Sequence, residues 1–182
     1  MATKRPSKGK RYPWNKGLKI GQRNPLSHSD VRSIKKLLAK RGEAGLRDRA
    51  LFSTAIDAML RAPDLLGLTV KDVRKRNRVM RDTLDLTIAD KGRRIQCRLS
   101  KFTMNVLDRW INQSGKKPGD YLFTRRTGGN SRAITPRQFS RLVKLWAADI
   151  GLDASLYGTE SLRQALTRPA LKKAKRASLR YR

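Results

Sequence analysis

Residues 47–73 read RDRALFSTAIDAMLRAPDLLGLTVKDV, and this stretch predicts the centre of the fold. Apolar side chains recur there at helical spacing, which predicts a helix that ends before Pro63 and has a broad buried face: Leu51, Phe52, Ala55, Ile56, Met59 and Leu60. Proline is suited to the first turn of a helix, so residues 63–66 are predicted to form a short helical turn. We predict that residues 70–73 then form a strand.

The chain before this stretch divides into an arm and a helix. Residues 1–29 contain eight bases and no acid, with prolines and glycines that interrupt any helix, so residues 1–26 are predicted to be a flexible basic arm. Ser27 or Ser29 can then cap a helix, and Asp30 favours its positive end. The buried stripe predicted for this helix consists of Val31, Ile34, Leu37 and Leu38.

The middle of the chain changes to the alternating pattern of half-buried strands. Apolar residues 84, 86 and 88 alternate with polar ones, as do residues 95, 97 and 99, and a turn-favouring Asp90-Lys91-Gly92 lies between the two runs. Together with residues 70–73, they predict a small antiparallel sheet of three strands.

Helical patterns return after the sheet. One apolar face consists of Phe102, Val106, Leu107, Trp110 and Ile111, and a second of Phe139, Leu142, Val143, Trp146 and Ile150. Thr135 and Gln138 have the spacing of a capping box, and a last helix is expected near Glu160. The predicted fold class is therefore α+β and mainly helical, with one domain over residues 27–170 and a basic tail over 171–182.

The charge of the chain points to a polyanionic partner. Forty-four Lys and Arg against fourteen Asp and Glu give a formal charge of +30, and nucleic acid is the usual partner of such an excess. The candidate DNA-binding residues lie in the arm and the tail: Lys4, Arg5, Lys8, Lys10, Arg11, Lys16, Lys172, Lys173, Lys175 and Arg176.

Other classes of site are not expected. A single cysteine, Cys97, excludes an internal disulfide, and with the lone His28 it offers no metal-binding set, so we expect no metal and no cofactor. No apolar stretch is long enough to span a membrane, and no secretory signal is apparent. We therefore expect a cytoplasmic, nucleoid-associated protein.

Four motifs in order resemble the tyrosine recombinases, the phage integrase family. They are the stretch 47–73, Gly119-Asp120-Tyr121-Leu122-Phe123, Tyr157-Gly158-Thr159-Glu160-Ser161-Leu162-Arg163, and an arm motif, Trp14-Asn15-Lys16-Gly17-Leu18, that is similar to a short integrase-like subgroup. The resemblance covers roughly residues 14–165. It implies the fold of a recombinase catalytic domain, double-stranded DNA as partner, and DNA integration and site-specific recombination as the associated process; self-association on DNA stays open.

The resemblance also implies a phosphoryl-transfer site. In this family two arginines neutralise the oxygens of a DNA phosphate while a tyrosine attacks it, and the matching residues are Arg61 and Arg163. Arginine suits this role because its rigid fork donates in pairs and keeps its charge. The family's general-acid lysine comes from the hairpin turn. Lys91 lies there, but alignment on Gly92 places Asp90 at that position, so Lys91 is either the acid after a one-residue shift or a solvated turn residue.

Two departures from the family pattern predict impaired catalysis. Glu160 occupies the usual histidine position, and an ionised carboxylate cannot donate to a phosphate as an imidazole can. Only 19 residues follow Arg163, and they contain no recognisable nucleophile box; Tyr181 is the one tyrosine among them. We expect a DNA-binding member of the family that is truncated and impaired as a recombinase. The alternatives are an active recombinase that uses Tyr181, and a basic, non-enzymatic RNA- or DNA-binding protein.

Overall fold

The computed structural model of the chain describes residues 23–88, 92–125 and 132–165. Its helices are α1 (His28–Lys40), α2 (Leu46–Ala58), α3 (Ala62–Leu66), α4 (Val70–Val73), α5 (Lys101–Gln113), α6 (Pro136–Asp149) and α7 (Thr159–Arg163). Short 3-10 segments lie at Gly42–Gly45 and Ala154–Leu156. The strands β1 (Thr83–Ile88) and β2 (Arg93–Arg98) pair antiparallel, and we call this pair the ribbon. The α+β, mainly helical fold class is thus confirmed.

The caps that begin α1 and α6 are those predicted from the sequence. Ser27 and Asp30 form a reciprocal capping box, in which each side chain accepts from the backbone N–H of the other residue. Thr135 and Gln138 do the same ahead of α6. These bonds satisfy backbone donors that have no partner inside the helix, and so they determine where α1 and α6 begin.

The predicted strand at residues 70–73 is wrong, because this segment is the helix α4. Asp72 Oδ2 accepts from the Thr69 N–H and from the Thr69 hydroxyl, both at 2.7 Å, which closes a capping box over the first turn. Arg74 N–H then donates to Val70 O at 2.9 Å. Within the described residues the sheet consequently has two strands rather than three, in the order β1–β2.

The ribbon has one apolar and one polar face. Leu84 pairs with Cys97 and Leu86 with Ile95 on the side that packs toward the core, which agrees with the predicted alternation. On the opposite face Asp85 pairs with Gln96, and the Gln96 amide donates to the Asp85 carboxylate at 3.0 Å. Residues 89–91, between the strands, lie outside the described part of the chain.

The core is centred on α2, which is buried along most of its length between α1, α5 and α7. Trp146 of α6 is fully buried, and its ring meets those of Phe52 and Phe139 edge-on. Six residues predicted to be buried are more exposed, of which Leu37, Leu142 and Ile150 are half-buried. Met59 and Phe102 are 38% and 37% exposed. Trp110 is half-buried, with its indole N–H donating to Leu122 O at 2.8 Å.

No helix in the described ranges is long and apolar enough to cross a membrane.

Candidate phosphate-binding site

Arg61 is placed by an abrupt change of direction after α2. Met59 adopts a left-handed conformation, with φ of 50°, and Leu60 turns back into the core. Arg61 itself is extended and caps α3, whose first turn contains Pro63. The Arg61 side chain is 43% exposed, and its Nε donates to Asp64 Oδ2 at 3.2 Å. A guanidinium is thus presented at the surface with a carboxylate beside it.

Arg163 is placed by the short helix α7. The Ser161 hydroxyl accepts from the Gly158 N–H at 3.1 Å, and both Ser161 and Leu162 are buried, so α7 lies with one side against the core. The Arg163 side chain points away from that side and is 46% exposed. The helix begins at Thr159, in agreement with the prediction of a helix near Glu160.

Glu160 lies one turn before Arg163 and interacts with it directly. Nη1 of Arg163 lies 3.3 Å from both carboxylate oxygens of Glu160. The Gln164 amide also donates to Glu160 Oε1, at 3.1 Å. At the position where the family motif has histidine, this chain therefore has an acceptor group that is already held by the neighbouring arginine.

The elements that carry the two arginines share a packing partner. Helix α3 packs against α6, and α7 packs against α2 and α6. Trp146 anchors α6 in the core, since it is fully buried and its ring contacts Phe52 of α2 and Phe139 of α6 itself. The orientation of Arg61 and Arg163 therefore depends on the packing of α6.

A segment ahead of α1 binds the 3-10 segment Ala154–Leu156 that precedes α7. Asn24 N–H donates to Leu156 O at 2.9 Å, and Arg23 donates through its guanidinium to Ser155 O. Leu26 is buried. Next to this segment Tyr157 is buried too, and burial, followed by the charges of Asp30 and Asp153, raises the pKa of its phenol.

Sequence reasoning missed a buried polar cluster around Thr124. Lys116 is 7% exposed, and its ammonium donates to Thr124 Oγ1 at 2.9 Å while lying 5.6 Å from the centre of the Trp110 ring. Burial lowers the pKa of Lys116, an effect that the nearby Asp120 opposes. Arg47 donates to Thr124 O and, at 2.7 Å, to Asp48. A lysine after Gly115 reads as a solvated turn residue, so no sequence signal marks this cluster.

Several predicted site residues lie outside the described ranges. They are Lys91 with its neighbour Asp90, Tyr181, and all the arm and tail bases: Lys4, Arg5, Lys8, Lys10, Arg11, Lys16, Lys172, Lys173, Lys175 and Arg176. Among the predicted site residues that the structure does describe, Glu160 forms an ion pair with Arg163, and Arg61 forms one with its neighbour Asp64. In the described part of the chain no group of three His, Cys, Asp or Glu side chains is arranged to hold a metal ion.

The sequence model of the phage integrase family matches residues 24–172. The chain belongs to the phage integrase family. The match includes both arginine segments, the second of which also contains Glu160. No curated protein matches the chain at a significant level.

Solved structures with the same fold include two recombinases and a transposon integrase. The XerH site-specific recombinase bound to difH substrate has a TM-score of 0.66 and 18% identity, over 84% of this chain and 44% of that one. The XerA recombinase has a TM-score of 0.64 and 14% identity, over 82% of this chain and 51% of that one. The Tn1549 transposon integrase in complex with circular intermediate DNA has a TM-score of 0.57 and 20% identity, over 81% of this chain and 52% of that one. The chain thus spans about half the length of these structures.

Proposed function

We propose that this phage integrase family member binds duplex DNA and holds a backbone phosphate with Arg61 and Arg163, and that Glu160 impairs strand cleavage there. The observation that carries the proposal is the state of the two arginines. Each matches a family motif, is about half exposed, and already interacts with a carboxylate at 3.2–3.3 Å. An exposed ion pair of this kind contributes only about 0–1 kcal/mol, so a phosphate can replace the carboxylate at little cost.

The surroundings of the arginines favour a polyanion as well. Helix α6, on which α3 and α7 pack, exposes Arg137 and Arg141 one turn apart. The whole chain carries a charge of +30. Each phosphate that such bases neutralise releases condensed counterions, which drives binding at low salt. The integrase and XerH structures with the same fold are DNA complexes, which agrees with duplex DNA as the partner.

The impairment is argued from the charge of Glu160. A phosphate oxygen 4 Å from this carboxylate is repelled by about 1 kcal/mol in water and about 4 kcal/mol at an effective dielectric of 20. The exposure of Glu160, 42%, places the value between these limits. The carboxylate also provides no proton to stabilise the charge that builds up on the phosphate, and each 1.36 kcal/mol lost in the transition state is about tenfold in rate.

The binding half of the proposal is tested with Arg61→Ala and Arg163→Ala in a duplex-DNA titration followed by fluorescence anisotropy. Each change should weaken binding by about 1–3 kcal/mol, the range for hydrogen bonds to charged groups. Arg109→Ala is the matched control, because Arg109 is exposed and paired with a carboxylate, Glu43, but lies on α5. An equal loss in all three variants would mean that net charge alone is being measured, and it would contradict the site.

The cleavage half is tested with a nicked duplex, denaturing electrophoresis and peptide mapping of any shifted band. We expect no covalent protein–DNA product. A covalent product that maps to Tyr181 would contradict the hypothesis of impaired cleavage and support an active recombinase instead.

A further inference from the structure

Between α4 and β1 the chain forms a tight loop of bases, residues 74–81, which we call the basic turn. Its sequence, RKRNRVMR, contains five bases and no acid. The backbone closes on itself, since Lys75 N–H donates to Val79 O at 2.8 Å and Arg78 N–H donates to Lys75 O at 3.0 Å. The Asn77 side chain accepts from Val79 N–H, at 3.3 Å. The turn is thus an ordered structure, and these three hydrogen bonds involve none of the cationic side-chain groups of Lys75, Arg76 and Arg78.

The basic turn is anchored at its first residue, and its tip exposes cationic side chains to solvent. Arg74 is tied down by Asp108 of α5 at 3.1 Å, and its Nε donates to Arg78 O. Lys75, Arg76 and Arg78 are exposed, and none of them forms an ion pair with another residue in the described ranges. Three like charges in four residues repel one another, and no ion pair with a carboxylate of the described residues offsets that repulsion.

Arg78 occupies a conformation that favours glycine. Its φ of 62° lies in the left-handed region, where a residue with a Cβ is strained by roughly 1–2 kcal/mol relative to the right-handed one. The two backbone hydrogen bonds of Arg78 would survive in glycine, and its side chain is exposed. Folding therefore gains nothing from the guanidinium, and the strained site instead directs one more cation outward from the turn.

We propose that the basic turn is a second contact for the phosphate backbone of duplex DNA, separate from the arginine site; this rests on the proposed function. The turn adjoins the Thr83 end of the ribbon. Six residues of strand place it about 20 Å from the Ile88 end, a distance that corresponds to about six base pairs along the axis of a duplex. The turn is also anchored on α5 through Arg74 and Asp108, whereas α3 and α7, which carry the two arginines of the proposed site, pack on α6.

The test compares two triple variants of the full chain by salt titration on a duplex of unrelated sequence. Lys75→Gln, Arg76→Gln and Arg78→Gln should lower the salt slope of binding by about 2–3, because each phosphate contact contributes about 0.9. Between 50 and 200 mM salt, the affinity of this variant should therefore fall by a factor about fortyfold smaller than that of the parent. Arg32→Gln, Lys36→Gln and Lys40→Gln on α1 remove the same charge from another exposed surface and should change the slope by less than about one.

Each outcome of this comparison is decisive. An unchanged slope in the turn variant, or equal changes in both triples, would overturn the proposal while leaving the arginine site intact if Arg61→Ala still weakens binding. Failure of the wild-type chain to bind duplex DNA would instead remove the proposed function itself. Weaker binding to a structured RNA with unchanged binding to duplex DNA would also overturn it, since the turn would then serve RNA.

Arg78→Gly separates DNA binding from folding. Glycine relieves the strained backbone, so the variant should melt at a higher temperature, yet it should lose about one unit of salt slope. Arg76→Gly is the matched control, because it removes the same charge where φ is not positive, and it should not raise the melting temperature. If Arg78→Gly is more stable and binds DNA as tightly as the parent with the same slope, the proposal is wrong.

Discussion

Glu160 and Arg163 face each other across one turn of α7, with a guanidinium nitrogen 3.3 Å from both carboxylate oxygens. Because both side chains are more than 40% exposed, the pair contributes little to stability, about 0–1 kcal/mol after solvent screening. Its consequence is functional instead: in the proposed site the phosphate and the Glu160 carboxylate compete for the same guanidinium.

Removing the charge of Glu160 should strengthen DNA binding. Glu160→Gln keeps the shape of the side chain but removes the repulsion, and we expect a gain of about 1 kcal/mol or more, roughly five- to tenfold in affinity. Glu160→His should also strengthen binding, but it should not restore cleavage by itself. The measurement is duplex binding by fluorescence anisotropy at fixed salt.

Glu43→Gln is the control for the Glu160 variants. Glu43 is an exposed glutamate paired with Arg109, so the same charge is removed away from the proposed site. It should change affinity only by the small effect of net charge. A Glu43→Gln variant that gains as much as Glu160→Gln would show that the position of Glu160 is irrelevant.

Truncating Trp146 should destabilise the fold that orients both arginines. Its ring is fully buried, 5.5 Å from Phe52 and 6.4 Å from Phe139 by centroid, so Trp146→Ala should cost about 3–5 kcal/mol in urea unfolding. Trp146→Phe should cost clearly less. It keeps an aromatic ring and removes an indole N–H that is buried with no hydrogen-bond partner in the described part of the chain. A loss below about 1 kcal/mol for Ala would contradict the core position.

The sequence predicted these elements best where one local rule operates alone. The caps at Ser27 and Thr135 and the burial of Trp146 follow from spacing and hydrogen-bond chemistry within a few residues. The prediction of a strand at residues 70–73 was wrong. The β-branched Val70 and Val73 favour a strand, but Thr69 and Asp72 form a capping box that stabilises a helical turn.

Other features depend on contacts distant in sequence. Phe102 lies on the predicted apolar face of α5 but is partly exposed, with the ammonium of Lys35 4.9 Å and the guanidinium of Arg49 5.1 Å from its ring centre. Neither contact has a signature in the sequence around Phe102. The ion pair of Glu160 with Arg163 could be read from their spacing of three on a helix, whereas the burial of Lys116 under Thr124 could not.

Met59, two residues before Arg61, has a strained left-handed backbone, and relieving this strain should stabilise the fold. Met59 has φ of 50° at the end of α2 and is partly exposed, so Met59→Gly should raise the free energy of unfolding by about 0.5–1 kcal/mol. Met59→Val should lower it by more than that, because a β-branched side chain fits this conformation worst. Chemical denaturation measures both.

Lys36→Gly serves as the control for Met59, since Lys36 lies exposed inside α1 with an ordinary helical backbone. Glycine there should cost about 0.7 kcal/mol. Opposite signs at positions 59 and 36 would attribute the gain to the left-handed backbone. A Met59→Gly variant that is less stable than the parent would count against the strained geometry at this position.

The buried ammonium of Lys116 should make stability depend on pH in the alkaline range. Burial lowers the pKa of Lys116 in the folded chain, so the unfolded chain binds more protons between the folded pKa and about 10.4, and stability rises with pH in that window. The proton-linked contribution is complete above about pH 10.4 and lost as pH falls through the folded pKa.

Lys116→Met removes the titration while retaining an unbranched side chain over Trp110. The difference in unfolding free energy between parent and variant, measured from pH 7 upward, should therefore shift in favour of the parent, while the alkaline titration of Tyr157 affects both chains equally. A difference that stays flat across this range would mean that the ammonium is solvated in solution and that Lys116 does not lie beneath Thr124.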